Sequence, residues 1–349
     1  MHGMITYFAR RVMLIPVTFL CITFMVYAVL RVVPGGPIEQ AEMQIKMAAM
    51  QEGGGGMADE MGQMQIPEEA MEELKKYYHL DKPIPVGYLN WLWGIVRLDF
   101  GQSYVHGEAV LKVIVSKFPI SIYFGLIGYF ASWIICIPLG VTKAIKHRSA
   151  YDTGTSVLVF LGYSIPGFVA CLILLVLFGG GTFWDVFPLG GFRSEPDIWS
   201  QLGFFGKIKD QLHHTAIPVF GYLIGGFATM TILMKNSLLD NLGADYVRTA
   251  FAKGLSERRV IFVHAMRNSL IPITAGIGHA LGLLFAGSFL IEKTCNIPGM
   301  GLLGYNSIIQ RDYPVILGTL VFLVLIRLTG NIFSDIAWAL IDPRIRFSK

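Results

Sequence analysis

Three polar residues in one apolar stretch, Arg327, Asn331 and Asp335, follow one another at i, i+4 and i+8. On a helix that spacing puts them on one face. Two roles fit: an internal ion pair and hydrogen-bond stripe that docks the helix on its neighbours, or the polar lining of a path through a bundle. His279, also within an apolar run, is a further candidate for either. His213 and His214 are adjacent, so on a helix they point about 100° apart and make a poor metal pair. Cys21, Cys136 and Cys171 sit in apolar runs and Cys295 in a loop, which indicates neither a disulfide framework nor a CxxC metal site. No GxSxG, HExxH or EF-hand pattern occurs. Gly206-Lys207 lacks both the upstream Gly and the following Ser/Thr of a phosphate-binding loop. The chain is therefore expected to be no enzyme and to hold no metal or cofactor; if ATP drives it, another chain hydrolyses it.

The densest functional signal is of another kind, a surface for docking. Residues Asp245 to Ala252 read as a short helix stopped at Gly254, where glycine can take the left-handed cap conformation. Ser256 is placed to cap a second helix. Ala250 and Ala252 keep the first helix thin, and Phe251 with Arg248 and Lys253 give it an aromatic and two cations. Such a helix suits a groove on a partner, and an ordinary solvated helical hairpin is the competing reading.

The elements that carry these residues are membrane helices. Of the 349 residues 54% are hydrophobic and 15% charged, against roughly 25% charged in a soluble domain. Six stretches reach the length a bilayer requires: 12–33, 119–141, 155–178, 215–234, 269–291 and 315–341. Arg10 and Arg11 precede the first, whose apolar run from Val12 to Leu30 is longer than a signal core and has no small-x-small site after it, so it reads as an uncleaved span. With the N-terminus in the cytoplasm, the inside segments 1–11, 142–154, 235–268 and 342–349 hold 14 Lys/Arg against 5 Asp/Glu, while acid exceeds base outside. Both termini are then cytoplasmic. The long outside region, 34–118, contains a low-complexity part, 43–64, with six Met and the run Gly53 to Gly56. That part reads as a flexible insertion; copper(I) binding is the weaker reading, since no Cys or His accompanies the methionines. Residues 67–118 read as ordered, with a helix near Glu68–Tyr78 and an aromatic group of Tyr88, Trp91 and Trp93. Pro138, Pro166, Pro218 and Pro272 mark kinks, and Gly221 with Gly225, and Gly278, Gly282 and Ala286, are small-residue ridges for close packing.

The loop resembles the coupling-loop signature of ABC importer permeases, in the form used by the dipeptide/oligopeptide/nickel group. Its elements are Arg248-Thr249-Ala250, Ala252-Lys253-Gly254-Leu255-Ser256, Val260, His264-Ala265, Arg267-Asn268 and Leu270-Ile271-Pro272. Phe251 departs from the pattern, where many relatives carry Arg. The resemblance extends over most of the chain: Val33-Pro34-Gly35-Gly36-Pro37, Leu80-Asp81-Lys82-Pro83, Leu98-Asp99-Phe100-Gly101 with Ser103, and Ile137-Pro138-Leu139-Gly140. Further on come Ile291-Glu292 with Pro298-Gly299-Met300-Gly301, Arg311-Asp312-Tyr313-Pro314, and Asp342-Pro343-Arg344-Ile345, with Asn331 and Asp335 upstream of the last. Arg327 lies outside the family pattern. Each motif is weak alone; their order and spacing make the set specific. The Gly-rich insertion, Gly162-Tyr163-Ser164-Ile165-Pro166, and Lys235-Asn236-Ser237 with Leu239-Asp240 are similar to the YejB branch of the group.

The resemblance implies an all-α polytopic protein with the type I ABC importer permease fold, six transmembrane helices and both termini cytoplasmic. It implies a first segment, 1–33, with the first span; a periplasmic region, 34–118; and a core permease domain, 119–349, containing the coupling loop 235–268. Residues Arg248, Thr249, Ala250, Phe251, Ala252, Lys253, Gly254, Leu255 and Ser256 would dock on an ATPase subunit that binds ATP and Mg. The other partners implied are a second, homologous permease, one or two ATPase chains, a periplasmic peptide-binding protein and the lipid bilayer of the bacterial inner membrane; no nucleic acid is expected. The cargo implied is oligopeptides, with microcin C-like peptides for the YejB branch. A proton- or ion-coupled secondary transporter would also show kinked spans and few charges, but no internal repeat is evident and the loop would go unexplained. A membrane enzyme would need a nucleophile beside His279 and Asp335, and none is suggested.

Overall fold

The computed structural model describes the backbone of residues 2–33, 82–181, 183–274 and 287–341, with side chains for 7–33, 82–181, 183–274 and 287–336. Among the described residues the chain is helical and has no strand. In chain order the helices are α1 (His2–Val32), α2 (Ile84–Val96), α3 (Val110–Ile145), α4 (Ala150–Ser164), α5 (Gly167–Phe178), α6 (Pro196–Gln201), α7 (Phe204–Leu242), α8 (Asp245–Ala252) and α9 (Glu257–Arg259). A π-helical turn (Val260–Ala265) leads from α9 into α10 (Met266–Ser269). The remainder are α11 (Ile271–Thr274), α12 (Phe289–Thr294), α13 (Met300–Ile309) and α14 (Tyr313–Ile341).

Four of these are long and apolar enough to cross a bilayer: α1, α3, α7 and α14. They overrun the apolar stretches that announce them, α3 beginning at Val110 and α7 at Phe204. Backbone hydrogen bonding continues past the apolar run into the interface, so the run measures lipid thickness and not helix length. The stretch 155–178 behaves differently. It is divided between α4 and α5, which meet the criterion for a span only together and are bent by 93° at their junction. Pro166 has no N–H to continue the helix, and it holds Ile165 in extended backbone (φ −102°, ψ 116°). The described residues thus contain four crossing helices, or five if the bent pair is one span. The predicted fifth span, 269–291, the helix near Glu68–Tyr78 and the insertion 43–64 fall wholly or largely outside the described residues.

The described residues belong to two compact units. One unit has the bounds Leu14–Ser116 and Gly304–Phe322. Here α2 lies on α1 through an aromatic seam. Tyr88 OH is 2.9 Å from Thr23 Oγ1 and donates to the Leu20 carbonyl at 3.2 Å. Tyr27, Tyr88 and Leu317 form the buried core of the seam, and Trp91 packs on it. Trp93, the third of the expected aromatic group, is exposed and stacks under Arg97 instead. Two motifs some 200 residues apart meet in the same unit. The Asp312 carboxylate accepts from Ser103 Oγ at 2.5 Å, Tyr104 N at 3.2 Å and Val105 N at 3.3 Å, closing the turn after Gly101. Phe100 stacks on Phe322 beside it.

The other unit has the bounds Met1–Met13, Lys117–Leu303 and Leu323–Lys349. Its helices approach closely where glycines face them. A Cβ on Gly167 would collide with the Gly221 carbonyl, and one on Gly221 with Cys171 Sγ, so α5 and α7 touch backbone to backbone. Gly225, the other half of the expected small-residue pair, faces open space. Gly140 does for α3 and α7 what Gly167 does for α5: a Cβ there would lie 2.6 Å from Met234 Cβ and 2.8 Å from the Thr231 carbonyl.

Candidate functional site

Helix α8 forms where the sequence places it and is held by two side chains. Val247 and Ala250, at i and i+3, are buried in one apolar cluster with Val141, Ala144, Met234, Leu238, Val260, Ala265 and Ile273. That cluster draws on α3, α7, the π-helical turn and α11, so α8 is seated on the ends of two long helices. Its C-terminus closes as a Schellman motif. Gly254 N–H donates to Phe251 O at 2.9 Å and Leu255 N–H to Ala250 O at 3.3 Å, with Gly254 at φ +75°. Leu255 packs back onto the cluster below. Ser256 occupies the N-cap position of α9, yet its hydroxyl makes no capping hydrogen bond. Only its carbonyl serves, accepting from Val260 N at 3.0 Å. The second helix is correspondingly short and passes into the π-helical turn. Below it, Ser237 Oγ donates to Ser269 O at 2.9 Å and Ser269 Oγ to Ser237 O at 3.2 Å, a reciprocal clasp between α7 and α10.

With Val247 and Ala250 turned inward, the outer surface of α8 carries Asp245, Tyr246, Arg248, Thr249, Phe251, Ala252 and Lys253. Phe251 is 46% exposed, and Phe262 and Val263 of the π-helical turn add further exposed apolar surface. Arg248 pairs with Asp245 at 3.5 Å; both are open to solvent, so the pair contributes little. Lys253, Arg258, Arg259 and Arg267 are exposed as well. The outer face of α8 thus presents an exposed apolar side chain ringed by cations on a firmly seated helix.

Beside the seat lies an ion cluster that sequence reasoning missed. The Asp152 carboxylate accepts from Lys235 Nζ at 2.7 and 2.8 Å, pairs with Lys143 Nζ at 3.1 Å and accepts from Arg148 N at 3.1 Å. Lys143 is 1% exposed and also donates to Asp152 O, Thr155 Oγ1 and Ser156 Oγ. Its neighbours Val141 and Ala144 pack on α8, as does Met234 beside Lys235. In the sequence Lys143 looks like one more loop cation. Its nine-residue spacing from Asp152 is the only local hint.

The polar stripe of α14 is divided. The Asp335 carboxylate pairs with Arg11 of α1. Arg327 is exposed and Asn331 half-buried. His279 lies outside the described residues. His213 and His214 each meet a backbone carbonyl, Val186 O at 2.5 Å and Gly190 O at 3.1 Å, fastening the 186–190 segment to the start of α7. Another buried carboxylate, Glu292, explains the motif that follows it. It accepts from Leu302 N at 2.7 Å, Ser288 N at 3.2 Å and Tyr222 OH at 3.3 Å. A Cβ on Gly299 would press to 2.6 Å from the carboxylate, so this turn has room only for glycine.

Residues 136–347 match the family described as "Binding-protein-dependent transport system inner membrane component". The chain is 37% identical to the inner membrane ABC transporter permease protein YejB of Escherichia coli O157:H7, over 98% of each chain. It is 37% identical to the peptidoglycan transport system permease protein YejB of Agrobacterium fabrum, again over 98% of each. To the oligopeptide transport system permease protein AppB of Bacillus subtilis it is 32% identical, over 99% of this chain and 100% of the relative. With its apolar crossing helices and a match of this extent, the chain belongs to the family of inner-membrane components of binding-protein-dependent transport systems and is a multi-pass protein of the inner membrane.

Proposed function

We propose that this chain is one of two permease subunits of an ATP-driven importer that carries oligopeptides, microcin C-like peptides among them, across the bacterial inner membrane. Residues Arg248 to Ser256 dock on an ATPase subunit, which binds ATP and Mg; a periplasmic binding protein delivers the peptide. The subunit has the type I importer permease fold with six spans and both termini cytoplasmic, 34–118 periplasmic and 119–349 the core permease domain. The observation that carries the reading is the seating of α8: two buried side chains and a glycine stop fix it, and its aromatic and cations are left outward. Peptide cargo is supported by relatives that align end to end, an oligopeptide transport system permease and a peptidoglycan transport system permease among them. ATP binding that closes the ATPase pair would press on α8, and through Val247 and Ala250 on the ends of α3 and α7, shifting the spans between inward- and outward-facing states. Arg327, Asn331, Asp335 and His279 are the candidates for polar positions along the path or within the bundle.

The test is purification of the tagged chain from its native operon in mild detergent. A second permease and ATPase chains should come with it at near-equal amounts, and peptide uptake should stop on ATP depletion. A chain that purifies alone, with uptake abolished by an uncoupler and not by ATP depletion, would instead make it a secondary transporter.

A further inference from the structure

Arg327 stands fourteen residues from either end of α14. At 1.5 Å per residue it is about 21 Å from each end, near the centre of a hydrocarbon core about 30 Å thick. A guanidinium at that depth is costly unless it meets water or an anion, and its stem cannot reach an interface. Its side chain is nonetheless exposed and makes no hydrogen bond or ion pair among the described residues. Direction decides what it meets. The exposed apolar side chains Leu325, Phe333 and Ile336 lie on one side of the helix, and Arg327 projects from the other. That other side is otherwise half-buried or buried, at Leu323, Val324, Gly330, Asn331 and Ser334. Arg327 is therefore exposed on the face opposite Leu325, Phe333 and Ile336, among half-buried neighbours, with Asn331 one turn away to extend the polar surface. Asp335, the acid that sequence spacing offers as its partner, is taken by Arg11.

We infer that Arg327 is an anion-recognition residue of the transport path, which binds a carboxylate of the peptide cargo at the depth of the bilayer centre. The inference rests on the peptide-importer reading and adds a substrate class to it, peptides that bear a carboxylate. A guanidinium pairs with a carboxylate through two parallel N–H donors, and every unmodified peptide supplies at least one such group.

The test uses the whole importer in proteoliposomes with its binding protein. The probes are pairs of peptides, carboxylate against amide, chosen to bind the binding protein equally well. Wild type should carry the carboxylate form about tenfold faster or more, the scale of one charge-assisted bond. Arg327→Gln should erase that preference, so that both peptide forms are carried at the same rate, and Arg327→Lys should keep part of it. An unchanged preference in Arg327→Gln would overturn the inference while leaving the importer intact. Dissociation of the two permeases in Arg327→Gln would also overturn it, by assigning the arginine to an acid of the companion chain. Wild type that carries neither peptide would refute the importer reading itself.

Discussion

Gly254 separates backbone geometry from surface shape, because the two can be perturbed apart. At φ +75° an alanine or glutamate costs about 1–2 kcal/mol, and asparagine less, since its side chain can hydrogen-bond locally in that conformation. A Cβ at this position meets nothing within 4 Å, so the chain has room for any of the three. Against a total stability of about 5–15 kcal/mol each variant should fold and enter the membrane. If the role of Gly254 is only to stop α8, then loss of function follows the backbone cost, and Gly254→Asn outperforms Gly254→Ala. If the surface is buried in a partner, loss follows bulk, with Ala mildest, Asn worse and Glu worst. The docking reading expects the second order in two assays, ATPase chains retained on the purified permease and ATP-dependent peptide uptake. Wild-type retention and uptake by Gly254→Glu would refute it. The Asn variant is the informative one: good melting behaviour with poor ATPase retention is a result that a capping role alone does not produce.

Three further substitutions probe the supports of the site. Asp152→Asn leaves Lys143 and Lys235 without their counter-charge and should destabilise the protein by about 3–5 kcal/mol, read as a lower melting temperature in detergent. Adding Lys143→Met should recover part of that loss, and identical melting of the single and double variants would show that charge does not hold the cluster. Asp312→Ala strips acceptors from Ser103 Oγ and two backbone N–H groups, at about 1–3 kcal/mol for a buried group left unpaired. Amide exchange at 104 and 105 should quicken, and unchanged rates there would count against the assigned turn. Glu292→Ala should likewise free the amides of Ser288 and Leu302, whereas a variant whose 288–302 segment exchanges like wild type would mean that the carboxylate does not organise the turn.

Long apolar runs and glycine stops were legible in the sequence because each acts locally. α3, α7 and α14 contain their predicted spans, and α8 has its predicted bounds, Asp245 to Ala252. Pro166 was visible as a kink, but composition cannot tell a kink from a 93° turn that divides a span into α4 and α5. Ser256 had the right residue type for a cap and the wrong hydroxyl geometry, which depends on the π-helical turn that follows. The pairs that decide the polar residues were hidden for another reason. Asp335 finds Arg11 across more than 300 residues of chain, Asp152 finds Lys235 across 83, and Ser103 finds Asp312 across 209. Spacing along a helix put Arg327, Asn331 and Asp335 on one face, and only packing between helices shows that Arg11 is the partner of Asp335.

Helix α7 also has a mechanical consequence. It is continuous from Phe204 to Leu242, 39 residues or about 58 Å, with Pro218 inside it. One end carries Leu238 under α8, and the other carries the histidines that fasten the 186–190 segment. A tilt of only about 5° around its middle would displace each end by roughly 2.5 Å, in opposite directions. A small stroke received at the α8 end would therefore reappear, inverted, at the far end, less whatever bending Pro218 absorbs, without any relay of side-chain rearrangements.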